Sequence, residues 1–279
     1  MSDRLIERRN FVKGVIAGSA AAGFAPFTAF GGGVQPRPRS LTLAMQGYCL
    51  HRFHVHALME TAAELGVDTL ELFDRQMSVF MSDRDLETLR TQREEAGMRI
   101  PATYTDLFSA DPDTNERILA FGQRAGLRFM SCTPDERTAE ILNDLLADHD
   151  IGIAVHNTSP GPGETLVTLR HIESLLDRHE RLGACLDVGN IARARIDPVE
   201  AIRALRGRIL EVHLKDVRPD GRAVTLGDGA LDMPAIIGEL RDAEFGGLLT
   251  IEHADKSGDI NGHIDDLRTG LERARRWLA

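Results

Sequence analysis

Four residues in the second half of the chain, His156, Asp187, His213 and Glu252, are of types that hold a divalent cation. Each ends a short apolar run, in Val155-His156, Leu186-Asp187, Val212-His213 and Ile251-Glu252. Mixed imidazole and carboxylate ligation suits Mn²⁺, Co²⁺, Fe²⁺ or Zn²⁺ better than Ca²⁺. No thiolate stands at these strand ends, which weakens the case for a structural zinc. Without a metal, Asp187 and Glu252 in one partly buried mouth would repel, and one would keep its proton. A cation relieves that repulsion and acts as a Lewis acid. Taken singly, each residue also reads as a hydrogen-bonded polar group at a strand end. The case for a site therefore rests on the four together.

Strand alternation decides whether they converge. Gly152 and Ala154 share a face with His156, Cys185 shares one with Asp187, and Thr250 shares one with Glu252. Over Ile209–Lys215 the same face carries Ile209, Glu211, His213 and Lys215. All four phases agree with one inward-facing site.

The elements that position these residues repeat. From Leu41 onward, strand candidates Leu41–Tyr48, Thr69–Phe73, Arg99–Tyr104, Phe129–Thr133, Ile151–His156, Gly183–Asp187, Ile209–Lys215 and Leu248–Glu252 alternate with helix-period segments. The pairs Ala62 and Leu65, Leu86 and Leu89, and Ile141 and Leu145 have the spacing of a buried helical stripe. Asp83, Asp113, Asp197 and Asp232 are the expected caps. Eight strand–helix units at about 30-residue spacing predict a single (β/α)8 TIM barrel, an α/β fold of about 250 residues. A doubly wound open sheet is the competing architecture, but no G-x-G-x-x-G follows the first strand. In a barrel the chemistry gathers at the C-terminal strand ends. Here these read Gln46, Glu71, Tyr104, Thr133, His156, Asp187, His213 and Glu252, a ring of polar residues.

Composition narrows the classes. The 279 residues carry 33 Lys+Arg against 43 Asp+Glu, a net charge of −10, which argues against a broad nucleic-acid footprint. Cys49, Cys132 and Cys185 are too widely spaced for a zinc knuckle or a disulfide framework and read as buried small hydrophobes.

The first 36 residues stand apart. Arg8-Arg9-Asn10-Phe11-Val12-Lys13, followed by an uncharged Ala- and Gly-rich run, resembles a twin-arginine export signal. Small residues at Ala22 and Ala29 offer two cleavage points. Gly18, Gly23, Pro26 and Gly31-Gly32-Gly33 argue against a stable spanning helix. The resulting division is residues 1–36 as signal and linker and residues 37–279 as the barrel. The resemblance implies export of the folded protein to the periplasm or beyond, with the twin-arginine machinery as a transient partner and no stable membrane insertion.

The barrel segments resemble the xylose isomerase-like TIM barrel superfamily of sugar and sugar-phosphate isomerases and epimerases. The likeness is carried by Cys185-Leu186-Asp187-Val188-Gly189-Asn190, Glu211-Val212-His213-Leu214-Lys215-Asp216, Gly227-Asp228-Gly229-Ala230-Leu231-Asp232 and Leu249-Thr250-Ile251-Glu252. The resemblance implies one divalent metal, Mn²⁺ first and Mg²⁺, Co²⁺ or Zn²⁺ as alternatives, held by Asp187, His213 and Glu252. At the fifth strand the pattern departs: Val155-His156-Asn157 places His where epimerases have Glu, which leaves the usual pair of glutamate bases incomplete. Glu71 resembles the acidic residue many members carry on the second strand.

The expected chemistry is proton abstraction beside a carbonyl of a sugar or keto-sugar, leading to isomerisation, epimerisation, or β-elimination and dehydration. Glu252 is the first candidate base and His156 the second, as ligand or acid/base. Lys215 is the candidate to neutralise an enolate, with a partner role toward Asp216 or Glu211 as its alternative. Glu71, Tyr104, Asn157, Asn190, Arg218 and His51 are the candidate substrate contacts, and Val217–Asp232 resembles a covering loop. No Arg and Lys cluster marks a phosphate pocket, which points to a neutral sugar or glycoside. Two other readings share the fold: a non-catalytic secreted carbohydrate-binding barrel and a DNA-repair endonuclease of the superfamily.

Overall fold

The computed structural model of the protein describes residues 41–158, 168–253 and 258–279. The export-signal segment with its two cleavage points lies outside the described residues.

Eight parallel strands close into a barrel: Thr42–Gln46, Thr69–Phe73, Arg99–Tyr104, Phe129–Cys132, Gly152–His156, Leu182–Asp187, Ile209–Leu214 and Leu248–Ile251. Each pairs with its neighbours in sequence, and the eighth closes on the first through Thr42↔Leu248 to Met45↔Ile251. This is a (β/α)8 TIM barrel. The strands are buried on both faces because helices cover the outside and side chains fill the inside. The outer layer is the large core, into which Met45, Leu72, Met130, Ile153, Leu186 and Val212 point. A smaller cluster of Ala102, Phe129, Ala154, Cys185, Leu210 and Leu248 fills the barrel interior beneath the mouth.

The helices start where local chemistry supplies an acceptor for their first amides. Asp197 and Asp232 cap as expected. Two caps shift. Ser82 rather than Asp83 accepts from Asp85, and Asp111 rather than Asp113 accepts from Asp113 itself, because Pro112 takes the first helical position. The last helix begins at Ile260, behind the Asp259 cap. A short additional helix, Val188–Arg193, follows the sixth strand directly.

One inward phase differs from strict alternation. Between the sixth and seventh strands the register slips, with Ala184↔Ile209 followed by Cys185↔Glu211, so Leu210 is a bulged residue. Leu210 therefore enters the barrel interior while Ile209 packs outward, the reverse of the expected pair. Gly183 makes the room: a Cβ there would lie 2.6 Å from Leu210 Cγ. After the bulge, Glu211 and His213 face inward as expected.

All three cysteines are buried and unpaired. Among the described residues no helix is long and apolar enough to cross a membrane.

Candidate active site

The strand ends bring His156, Asp187, His213, Lys215 and Glu252 together at one side of the barrel mouth. The Lys215 ammonium lies between two carboxylates, 2.6 Å from Asp187 Oδ2 and 2.7 Å from Glu252 Oε1. Glu252 Oε2 accepts from His213 Nδ1 at 3.0 Å, and the other nitrogen of that ring, Nε2, donates to Glu71 Oε2 at 2.9 Å. Below them, Ser131 donates to Glu71, Thr250 donates to Glu211, and Glu211 Oε2 is 3.6 Å from His213 Nε2. The result is a buried chain of alternating charge: Asp187, Lys215, Glu252, His213 and Glu71.

Charge states follow from these contacts. Burial opposes ionisation of Glu252, but the Lys215 ammonium and the His213 hydrogen bond hold its pKa well below the usual carboxylate range. Burial opposes the charge on Lys215 too, yet Asp187 and Glu252 raise it above its usual value. In His213, burial works against protonation and is outweighed by Cys185, Glu71 and Glu211. Burial keeps Cys185 itself a neutral thiol, so the carboxylates carry that effect. Glu71 is pushed up to about 7, first by burial and then by Glu211. His156 is pushed down to about 4, first by burial and then by the charge on His213. Near neutral pH the ring of His156 is thus an uncharged base.

His156 is also the unfinished part of the arrangement. Both its ring nitrogens are buried without a hydrogen-bond partner. Tyr104 meets the ring edge-on at a centroid distance of 5.6 Å, and His213 lies 5.2 Å away. An unsatisfied buried group of this kind costs about 1–3 kcal/mol. Ligand atoms of His156, Asp187 and Glu252 all lie within 4.8 Å of one another. One nitrogen and two carboxylate oxygens, with a lone pair awaiting a partner, fit a divalent cation of the Mn²⁺ to Zn²⁺ range. His213 belongs to the site, but both its nitrogens are engaged by carboxylates; it would ligate only by releasing Glu252 or Glu71.

Neighbouring backbone and amides hold the ligands. Asp187 Oδ1 accepts from the amides of Gly189 and Asn190 at 2.9 and 3.1 Å, which leaves Oδ2 for the mouth. Asn157 braces the same residue, donating to Asp187 O at 3.0 Å and accepting from Asp187 N at 2.8 Å. Asn190 donates to Asn157 O and accepts from Arg193, whose Nε donates to Gly221 O. Asn157 and Asn190, expected as substrate contacts, support Asp187 in this structure. Glu71 is likewise a support: it is fully buried and faces His213, not the mouth. Lys215 pairs with Asp187 and Glu252, not with Asp216 or Glu211.

Tyr104 lies beside His156, and its hydroxyl donates to Asp106 Oδ2 at 2.6 Å while Thr133 donates to Asp106 Oδ1. His51 stacks on Tyr48 at 5.2 Å, one strand away from the carboxylate pair, and Arg218 is exposed at the tip of its loop. That loop starts as the two-stranded ribbon Asp216–Val217 with Ala223–Val224. The Asp216 carboxylate, 1% exposed, accepts from the amides of Val217, Gly227, Gly229 and Leu231. Sequence reasoning missed Asp216, Ser131 and Asp106. For Asp216 the sequence offered only the Gly227-Asp228-Gly229 turn with amides free to donate, and the carboxylate that accepts from them stands eleven residues earlier.

The family model of the xylose isomerase-like TIM barrel matches residues 133–279. Among curated proteins, the 3-oxo-isoapionate decarboxylase of Pectobacterium atrosepticum is 25% identical over 222 residues, covering 71% of this chain and 76% of that protein. The rhizopine catabolism protein MocC of Rhizobium meliloti is 28% identical over 157 residues, covering 50% of this chain and 47% of that protein. Among solved structures, a D-psicose 3-epimerase superposes with a TM-score of 0.70 at 18% identity, covering 85% of this chain and 99% of that one. The 3-keto-D-glucoside 4-epimerase YcjR of E. coli gives 0.65 at 15% identity, covering 84% and 100%. Likeness at these identities establishes a common fold.

Proposed function

This chain belongs to the xylose isomerase-like TIM barrel family, and on that premise we propose that it is a divalent-metal-dependent enzyme that removes a proton beside a carbonyl of a sugar or keto-sugar. The observation that carries the reading is His156: a buried, neutral, unpartnered imidazole facing Asp187 and Glu252 across less than 4.8 Å. A cation held by His156, Asp187 and Glu252, with Mn²⁺ the first choice, would supply a Lewis acid for the carbonyl.

The chain's own residues supply the proton transfers. Glu252 stays ionised beside Lys215 and His213 and accepts the proton from carbon. His213, donating to Glu252 on one side and Glu71 on the other, fixes the plane of the base. The Lys215 ammonium donates to the oxygen on which negative charge develops. The strand-five position bears an imidazole where a second carboxylate base would make the site two-faced. With one carboxylate and one imidazole, β-elimination or dehydration is favoured over symmetrical epimerisation. The curated relative that acts on a 3-oxo sugar acid, by its name, and the neighbour named for a 3-keto-glucoside support a keto-sugar as the substrate class. Absence of an Arg and Lys cluster in the sequence favours a neutral one.

The protein is proposed to act after twin-arginine export, on the strength of Arg8-Arg9-Asn10-Phe11-Val12-Lys13. Replacing Arg8 and Arg9 by Lys should retain it in the cytoplasm, and equal export of that variant would contradict the route.

The test of the activity is solvent exchange. Incubated with Mn²⁺ and a panel of 3-keto-glycosides in D₂O, the wild type should place deuterium on the carbon next to the carbonyl or release an elimination product, and Glu252→Gln should do neither. Metal bound at the site with no exchange and no product on the panel would favour a carbohydrate-binding barrel.

A further inference from the structure

Lys215 sits where a cation ligand set would have its charge. Its ammonium touches Asp187 Oδ2 and Glu252 Oε1, the two carboxylates that also converge with His156. The fold makes space for this lysine: a Cβ on Gly189 would lie 2.7 Å from Lys215 O and 2.8 Å from Lys215 Cγ, so only glycine lets the stem pass. We propose that the Lys215 ammonium and a divalent cation are alternative occupants of the Asp187–Glu252 carboxylate pair, so that metal binding is an exchange of cations and Lys215 sets the affinity of the site. This deepens the reading of the site as a metal centre and rests on it.

The physical reason is charge balance. Asp187 and Glu252 together carry two negative charges in a buried mouth, and one ammonium lets both stay ionised and close before any metal arrives. A divalent cation bound to the same oxygens, with the ammonium left in place, would put three positive charges within a few ångströms. The lysine is a compact point charge on a flexible four-carbon stem, so it can withdraw where an arginine fork could not. Withdrawn, it remains beside the metal and available to a substrate oxygen. Metal affinity is therefore reduced by the contacts that must first be broken, and the metal-free site is kept ordered by them.

The test titrates metal-stripped wild type, Lys215→Met and Lys215→Gln with MnCl₂ by calorimetry and follows melting with and without Mn²⁺. Removing the competing charge should tighten Mn²⁺ binding by roughly tenfold or more in both variants. Metal-free Lys215→Met should melt below metal-free wild type, and saturating Mn²⁺ should close most of that gap. Lys215→Gln keeps the stem and a donor without the charge, and serves if the Met variant does not fold. Affinity equal to or weaker than wild type in the variants overturns the exchange while leaving the metal centre intact. No Mn²⁺ binding by wild type or either variant overturns both.

Discussion

The loop that follows Lys215 hangs on one carboxylate, and replacing Asp216 by Asn should release it. Oδ2 of Asp216 accepts from Gly227 N at 2.8 Å and Gly229 N at 3.0 Å, while Oδ1 accepts from Val217 N at 2.9 Å and Leu231 N at 3.4 Å. Asn has the same volume, so no cavity confuses the result. Its single oxygen can serve one of these pairs, and its NH₂ then faces the amides of the other. A hydrogen bond to a charged group contributes about 1.5–3 kcal/mol. Losing one strong bond together with the charge on the remaining ones gives about 2–4 kcal/mol. At roughly 2–4 °C per kcal/mol for a domain of this size, the melting temperature should fall by about 5–10 °C. The loop should also open locally, so trypsin should cut after exposed Arg222 about tenfold faster or more, since each 1.4 kcal/mol of lost protection is a factor of ten. Both readouts use the purified protein without substrate. A melting temperature within about 1 °C of wild type, with an unchanged cleavage rate, would refute the claim that Asp216 organises the loop.

Two further outcomes follow from burial. In metal-free protein, His156 stays neutral in the folded state down to about pH 4, whereas an unfolded histidine takes its proton near 6.5. Between those values the unfolded state binds more protons, so stability falls as pH is lowered from 6.5 to 4, by about 3 kcal/mol in all, and His156 adds no slope above that window. Urea denaturation of chelated His156→Phe should lack that part of the slope, and the variant should match or exceed wild-type stability at pH 7 because it buries no unpartnered nitrogen; an identical slope would contradict the assignment. Gly183→Ala should cost about 1–3 kcal/mol by overpacking, since its Cβ would lie 2.6 Å from Leu210 Cγ. Leu210→Ala in the same background should recover part of that loss, and a fully additive pair in chemical denaturation would deny the contact.

Local patterning reached far into this fold. The alternation in Gly152–His156 and in Thr250-Ile251-Glu252 places inward residues correctly because those strands run without a bulge. It fails at Ile209 and Leu210, where the register slip is a property of two strands and leaves no mark on one. The same limit explains Lys215: its phase marks it as inward, but its pairing with Asp187 and Glu252 joins three strand ends that only the closed barrel brings together. Glu71 is 142 residues from His213, and its place beneath that ring depends on the pleat of the second strand and closure through the first. Asn157 and Asn190 read as polar residues suited to a ligand; the bonds of Asn157 to the backbone of Asp187, and of Asn190 to Asn157 O, are invisible until the short helix Val188–Arg193 folds back. The helix start at Asp197-Pro198 was legible from the capping residue and the proline together, whereas the equivalent pair Asp111-Pro112 was passed over for Asp113.

The central claim is that His156, Asp187 and Glu252 hold one divalent cation for proton transfer, and metal content tests it most directly. Mass spectrometry on purified wild type and on Glu252→Gln should find close to one equivalent of a divalent metal, Mn²⁺ first, in the wild type and clearly less in the variant. No divalent metal in either protein, after purification without chelator and with Mn²⁺ supplied, would contradict the account.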